Sequence, residues 1–328
     1  MEAKLLSASS PPSFSVNGAT KFSRPSLVLT SPTREFPIFK LQCPARSSNK
    51  IIQSVHASKS IGTVTTQRVD DSENLTLDAV RYSLIRQEDS IIFSLLERAQ
   101  YCQNKSTYDP DSFSIEGFHG SLIQYMLRET EKLHAQVGRY NSPDEHPFFR
   151  EELPAPLLPP LTYKQVLHPI ADKINMNPKV WEIYFKNIVP KLAKEGEDGN
   201  CGSTAVCDAM CLQALSKRIR YGKFVAECKF RDSPEAYQAA IKEQDRDGLM
   251  NLLKFPKVEE SVKKRVEMKT RTYGQEVPVE ICKDGDCPTY KINPSLVADL
   301  YGEWIMPLTK EKVQVEYLLR RLDKSQGN

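Results

Sequence analysis

RYSLIRQEDSIIFSLLERAQY, residues 81–101, decides the fold class. Together with Leu77, the residues Leu84, Ile85, Ile92 and Leu95 fall on one stripe at helical spacing, the mark of an amphipathic helix. Arg81 and Glu88 lie on that same stripe. A guanidinium on a face that a helix buries is costly unless an anion meets it. Glu88, another carboxylate of the protein, or a ligand supplies that anion.

Helical spacing continues on both sides of this stretch. From Asp70 onward the periodicity predicts helices over 76–101, 121–140, 164–174, 178–194, 203–229, from Ser233-Pro234-Glu235, over 245–253 and 257–272, from Asn293-Pro294 to 305, and through the closing LTKEKVQVEYLLRRL. Residues 104–120 read as a loop, and KEGEDGNCGS (194–203) as a Gly-rich break. The Pro-dense 142–163 is too apolar for a disordered linker, so it reads as an ordered surface connection. Residues 273–292 read as irregular, with a small hairpin turning at Asp284-Gly285. No alternating pattern or repeat is present. The expectation is an all-α fold, a single helical domain of roughly ten or more helices over residues 70–328.

The first 65 residues differ in kind. They are rich in Ser, Thr and Pro; within the first forty, Glu2 and Glu35 are the only acids against five basic residues. They contain no central hydrophobic stretch of a secretory signal. This is the signature of an organelle transit peptide, and the abundance of hydroxyls favours the plastid. A disordered tail without an address is the other reading. The net charge of +3 is too small to argue for nucleic acid, and no apolar run approaches the ~18 residues of a membrane span. Eight cysteines are scattered without zinc-site spacing. Cys282 and Cys287 either stay free or close a small loop under oxidising conditions.

The misplaced charge of the first helix recurs. On the helix over 203–229, Cys211, Leu215, Arg218, Gly222, Val225 and Lys229 share a face, and Gly222 leaves room between the two cations. Glu259 aligns with Val262 and Val266, and Gln314 with Tyr317 and Leu318. Each alone reads as a paired or snorkelling charge. Together they place three cations against one carboxylate inside a helical core, a balance suited to a small dianion. There is no nucleophile with a base, no metal cage and no phosphate loop. The pattern suggests a site that binds and orients a small dicarboxylate without covalent chemistry.

RYSLIRQEDSIIFSLLER, SPDEHPFF, SKRIRYGKFVAECKF and VEYLLRRLD resemble the eukaryotic helical chorismate mutases, over roughly residues 75–323. With the leader, the chain looks like a plant plastid isoform, located in the chloroplast stroma. The resemblance implies the cofactor-free rearrangement of chorismate to prephenate, on the way to phenylalanine and tyrosine. It implies that Arg81 and Arg218 grip the two carboxylates, that Lys229 donates to the ether oxygen and a carboxylate, and that Glu259 accepts from the ring hydroxyl. Gln314 stands where fungal members carry a Glu, and Thr309 lies five residues before it rather than four. Thr309 is then either a substrate contact or a helix N-cap. Phe255 replaces an Asn of the fungal pattern.

The resemblance further implies a homodimer, with Trp, Tyr or Phe bound between subunits, Trp activating and Tyr and Phe inhibiting. VGRYNSPDE and NCGSTAV are the matching segments. Arg139 is expected to reach the effector carboxylate, and Gly202 and Ser203 to offer backbone N–H and hydroxyl groups. Gly138 and Val206 depart from the fungal Arg and Thr. The other readings are an unregulated chorismate mutase and a catalytically silent sensor of aromatic amino acids.

Overall fold

The computed structural model describes residues 75–159, 165–276 and 288–322. The leader over 1–65, the expected start near Asp70, the turn at Asp284-Gly285 and the Cys282 and Cys287 pair lie outside them. All described residues belong to one unit, Thr63–Asn328.

Local chemistry starts most of the helices. Thr76 opens α1 (Leu77–Arg98) by accepting the Ala79 N–H at 3.2 Å. Ser121 and Gln124 form a capping box ahead of α2 (Leu122–Gln136). Helix α3 spans 177–192 and α4 spans 201–232; in α4 the segments Cys201–Arg220 and Gly222–Asp232 meet at Tyr221. Helices α5 (Pro234–Lys242), α6 (Arg246–Leu253) and α7 (Pro256–Gly274) follow, and α8 runs over 294–322. Proline stands in the first turn of α3, α5, α7 and α8, where its missing N–H costs nothing.

The described residues thus form eight continuous helical rods, fewer than the ten or more expected, and the all-α class holds. Two isolated bridges, Ile115 with Phe118 and Gln275 with Tyr290, are the only β pairings among them. The helix count falls for a physical reason. Pro307 suggests a break between two closing helices, yet it lies within α8, flanked by π turns at Tyr301–Ile305 and Leu308–Gln314. There the Met306 N–H reaches the Tyr301 carbonyl and the Val315 N–H the Lys310 carbonyl, bonds spanning five residues that carry the rod past the proline. A third π turn, Tyr184–Ile188, does the same beside Pro190 in α3. Of the helix expected over 164–174, the described part holds a short 3₁₀ turn, Pro169–Lys173. Of the Pro-rich connection, 142–159 runs without a helix, pinned where the Phe148 and Phe149 N–H groups donate to the buried Glu131 carboxylate at 2.7 and 2.9 Å.

α1 packs along α4 and against α7, while α8 packs on α4. Ile92, Leu95, Leu127, Leu212, Leu215, Tyr184 and Val297 build the main core; Val80, Phe224, Leu249, Tyr317 and Leu318 build a second one. A fully buried ion pair locks the first: Arg98 Nε donates to Asp208 Oδ1 at 2.7 Å, and the Tyr108 and Tyr184 hydroxyls donate to the same carboxylate at 2.8 and 2.7 Å. Nη1 donates to the Tyr101 carbonyl and Nη2 to the Gln103 carbonyl and the Tyr108 oxygen, so each guanidinium nitrogen has a partner. Gly222 is required where α4 and α8 touch. A Cβ there would lie 2.7 Å from the Thr309 carbonyl oxygen. The room this glycine leaves is therefore filled by the backbone of α8, not by a ligand.

Candidate active site

A cavity of about 380 Å³ opens between α1, α4, α7 and α8. Arg81, Arg218, Lys229, Glu259, Thr309 and Gln314 all line it. Four helices from distant parts of the chain thus bring together all six residues singled out by charge placement or resemblance.

The charges are not arranged as the stripe of α1 suggested. Arg81 sits at the rim, with its side chain half exposed and a 3.1 Å contact to the exposed Asp78. Of the two charges read on that stripe, the one α1 buries is Glu88. Its carboxylate takes a two-pronged grip from Arg265 of α7, at 2.8 and 2.6 Å, with Lys269 at 3.2 Å. Leu77, Leu84 and Ile85 are only partly buried because they face the cavity rather than a closed core.

Arg218 occupies the opposite situation. It is 6% exposed, and no carboxylate of the described residues pairs with it. Nη1 donates to Thr309 Oγ1 at 3.4 Å, while Nε is buried without any partner. Burial works against its charge, opposed by the nearby Tyr301 and Glu88. A guanidinium nevertheless stays charged, so the fold holds a desolvated cation that no carboxylate of the described residues meets directly.

Lys229, eleven residues along α4, donates to the Leu253 carbonyl at 3.4 Å, and its ammonium stands 4.4 Å from the centre of the Phe255 ring. Phe255 thus meets the cavity through a cation–π contact. Burial lowers the Lys229 pKa to about 8, helped by the charges of Lys310 and Arg81 and opposed by Glu259. Glu259 accepts a hydrogen bond from Lys310. Gln314 is buried, with its amide oxygen unpartnered.

The extra residue between Thr309 and Gln314 is absorbed by the π turn Leu308–Gln314. A five-residue hydrogen bond returns the chain to the same face that four residues reach in an α-helix, so both side chains line the cavity. Thr309 is not an N-cap. It lies inside α8, donates its hydroxyl to the Ile305 carbonyl at 2.7 Å and accepts from Arg218.

Three cations of the wall, Arg265, Lys257 and Lys310, were not assigned to the site from the sequence. Arg265 follows Val258 by seven residues and Val262 by three, helical spacings that put it on their stripe, so the stripe of α7 held its signal. Lys310 is brought to the cavity by the π turn, which has no simple sequence mark. With Lys257, the wall carries six cations against Glu88 and Glu259. Two of them, Arg265 and Lys310, are neutralised by those carboxylates. The excess suits a dianion.

The residues proposed to hold an effector are not gathered by one chain. Arg139 donates to His134 Nδ1 at 2.9 Å, to Gln213 Oε1 at 3.1 Å and to Glu145 at 3.1 Å. The ring nitrogen accepts, so His134 is neutral; burial and the charge of Arg139 lower its pKa. Arg139 lines a second cavity of about 550 Å³ with Glu145, Met210 and Lys217. Gly202 and Ser203 stand in the first turn of α4. Ten residues of helix separate Ser203 from Gln213, or ~15 Å at the helical rise, too far for one amino acid to touch both groups in the same subunit.

Comparison with known proteins identifies the family. Residues 200–314 match the family model of chorismate mutase type II. The chain is 65% identical over 289 residues to chorismate mutase 1, chloroplastic, of Petunia hybrida, covering 88% of this chain and 89% of that protein. Crystal structures of AtCM1 with phenylalanine or tyrosine bound in the allosteric site are 68% identical, with TM-scores of 0.71 and 0.70, and cover 78% of this chain and 100% of those chains. The Aro7p chorismate mutase of Candida albicans, in complex with L-Trp, is 38% identical with a TM-score of 0.71, covering 77% of this chain and 94% of that one. With identity this high over most of its length, carried on the same helical fold, the chain belongs to the chorismate mutase family.

Proposed function

We propose that the cavity between α1, α4, α7 and α8 binds chorismate and turns it into prephenate by an intramolecular [3,3] rearrangement. The observation that carries this reading is Arg218, a buried guanidinium with an unpartnered Nε and no carboxylate of its own. Chorismate is a dicarboxylate whose enolpyruvyl ether must fold over its ring before the bonds exchange. Arg218 holds one carboxylate at the inner end and Arg81 the other at the rim. Fixing both ends restricts the ether side chain to a near-attack geometry, which removes much of the entropic barrier. Negative charge grows on the ether oxygen as its C–O bond breaks. Lys229 and the Gln314 amide donate to that oxygen and are already in place, so they favour the transition state over the ground state. Glu259 accepts from the ring hydroxyl. Thr309 steadies Arg218 through its hydroxyl. No group forms a covalent intermediate.

The second cavity serves control. Arg139 exchanges Glu145 for the carboxylate of an aromatic amino acid, and Gly202 and Ser203 come from the partner in a homodimer. Exposed Leu133 on α2 and Val137 at its C-terminal end, with Val206 and Met210 on α4, supply the apolar surface such a dimer would bury. Trp activates, while Tyr and Phe inhibit. Residues 1–65 act as a transit peptide that delivers the domain to the plastid stroma, as the chloroplastic names of the relatives support.

The purified protein should convert chorismate to prephenate without added cofactor, faster with Trp and slower with Tyr or Phe. Absence of prephenate would overturn the catalytic reading. Activity indifferent to all three amino acids would overturn the regulatory one.

A further inference from the structure

A polar side chain of the cavity wall that the mechanism above does not use is Lys310. Lys310 follows Thr309 within the π turn of α8, and its side chain is only 13% exposed. Its ammonium donates to Glu259 Oε1, and among the described residues Glu259 is its only carboxylate partner. The dependence is mutual. Glu259 stands on the first turn of α7 with a side chain 36% exposed, and Lys310 is its one hydrogen-bond donor among the described residues. A partly exposed carboxylate with a single bond is fixed by that bond; without it, the group is free to turn into solvent. The π turn matters here as well, since it is the element that lines Thr309, Lys310 and Gln314 along one wall.

We propose that Lys310 is a positioning residue for Glu259: it holds one carboxylate oxygen and leaves the other to accept from a hydroxyl of the bound ligand. The inference rests on reading the cavity as the chorismate site. It gives Lys310 an indirect role, distinct from that of Arg218 and Lys229, which meet the substrate themselves. The aliphatic stem of Lys310 contributes packing whatever its head does, so the replacement should keep the stem.

The test is a double-mutant cycle on kcat/KM for prephenate formation, using the full chain and the variants Lys310→Met, Glu259→Gln and both together. Lys310→Arg completes the set, since it retains a donor for Glu259. Coupled neighbours commonly interact by about tenfold in such cycles. Lys310→Met should therefore lower kcat/KM about tenfold in the parent and change it less than twofold in the Glu259→Gln background, and Lys310→Arg should restore most of the loss. An equal loss in both backgrounds would overturn the proposal, because Lys310 would then be meeting the substrate directly or supporting the fold. No loss in the parent background would overturn it too. A parent without prephenate formation is a different failure: it removes the substrate assignment, and this proposal with it.

Discussion

Replacing Gln314 by Glu turns a group that donates at every pH into one that donates only when protonated. In the parent, the amide is buried and does not titrate, so the hydrogen bond proposed for it is constant with pH. The limit on the parent comes from Lys229, whose ammonium has its pKa lowered to about 8 by burial and by the charges of Lys310 and Arg81. The ammonium is the active form. The parent kcat/KM, which reports the free enzyme, should stay level through neutral pH and fall as pH rises through about 8. A bound dianion favours the charged lysine, so the limb in kcat should lie higher than the limb in kcat/KM.

In Gln314→Glu a second limb appears below the first. An unperturbed glutamic acid titrates near ~4.3, and burial raises it. With a carboxyl at about 5.5, one molecule in roughly a hundred retains the proton at pH ~7.5, so kcat/KM there should be about a hundredfold below the parent. Each further pH unit costs about tenfold until Lys229 adds its own loss. At pH ~5 the two proteins should converge. The assay is the initial rate of chorismate loss at low substrate across this range. Superimposable profiles would refute the reasoning: Gln314 would not touch the ether oxygen, and another donor of the π turn would have to take its place.

Two other perturbations separate regulation and stability from chemistry. Arg139→Ala should abolish the response to Trp and Tyr while leaving basal turnover nearly unchanged, because Arg139 bonds to His134, Gln213 and Glu145 in a different cavity; coupling of ~1–3 kcal/mol is large enough to read as a lost rate effect, and a retained response would move the effector site elsewhere. Asp208→Ala leaves the fully buried Arg98 without a counter-charge and two tyrosine hydroxyls without their acceptor. Breaking such a pair costs about 3–5 kcal/mol, so calorimetry should show the melting temperature lowered by roughly 10 °C or more; a change of a degree or two would mean that the core relaxes around the gap.

The helical fold and most of the cavity were legible in sequence because both follow from spacing. A stripe every three or four residues identifies a helix, and a polar group on that stripe identifies a cavity. Arg218, Lys229, Glu259 and Gln314 were found in that way. The same logic misjudged Arg81, because a stripe says which way a side chain points and not how deep its helix is buried; at that end of α1 the face lines an open cavity. It passed over Glu88 with Arg265, a pair that becomes evident only when two helices distant in sequence lie side by side. Pro307 misled it in another way. Proline usually ends a helix, and the flanking π turns that keep α8 continuous leave no simple pattern in the residues. Those turns also explain why Thr309 and Gln314, offset by one residue from the family spacing, still share a wall. The Arg98 and Asp208 pair was invisible for a similar reason: each residue alone looks like an ordinary surface charge, and only packing shows that both are buried.

The central claim is that Arg218 is a buried cation waiting for the carboxylate of the substrate. The most direct measurement is kcat/KM for prephenate formation by Arg218→Ala, with circular dichroism to show that the helices remain. Loss of a buried charged partner in the transition state is worth ~3 kcal/mol or more, above a hundredfold in rate. The account predicts a folded protein with kcat/KM lowered by at least that factor. A folded variant with activity within threefold of the parent would contradict it, and the anion that balances this cavity would have to bind somewhere other than Arg218.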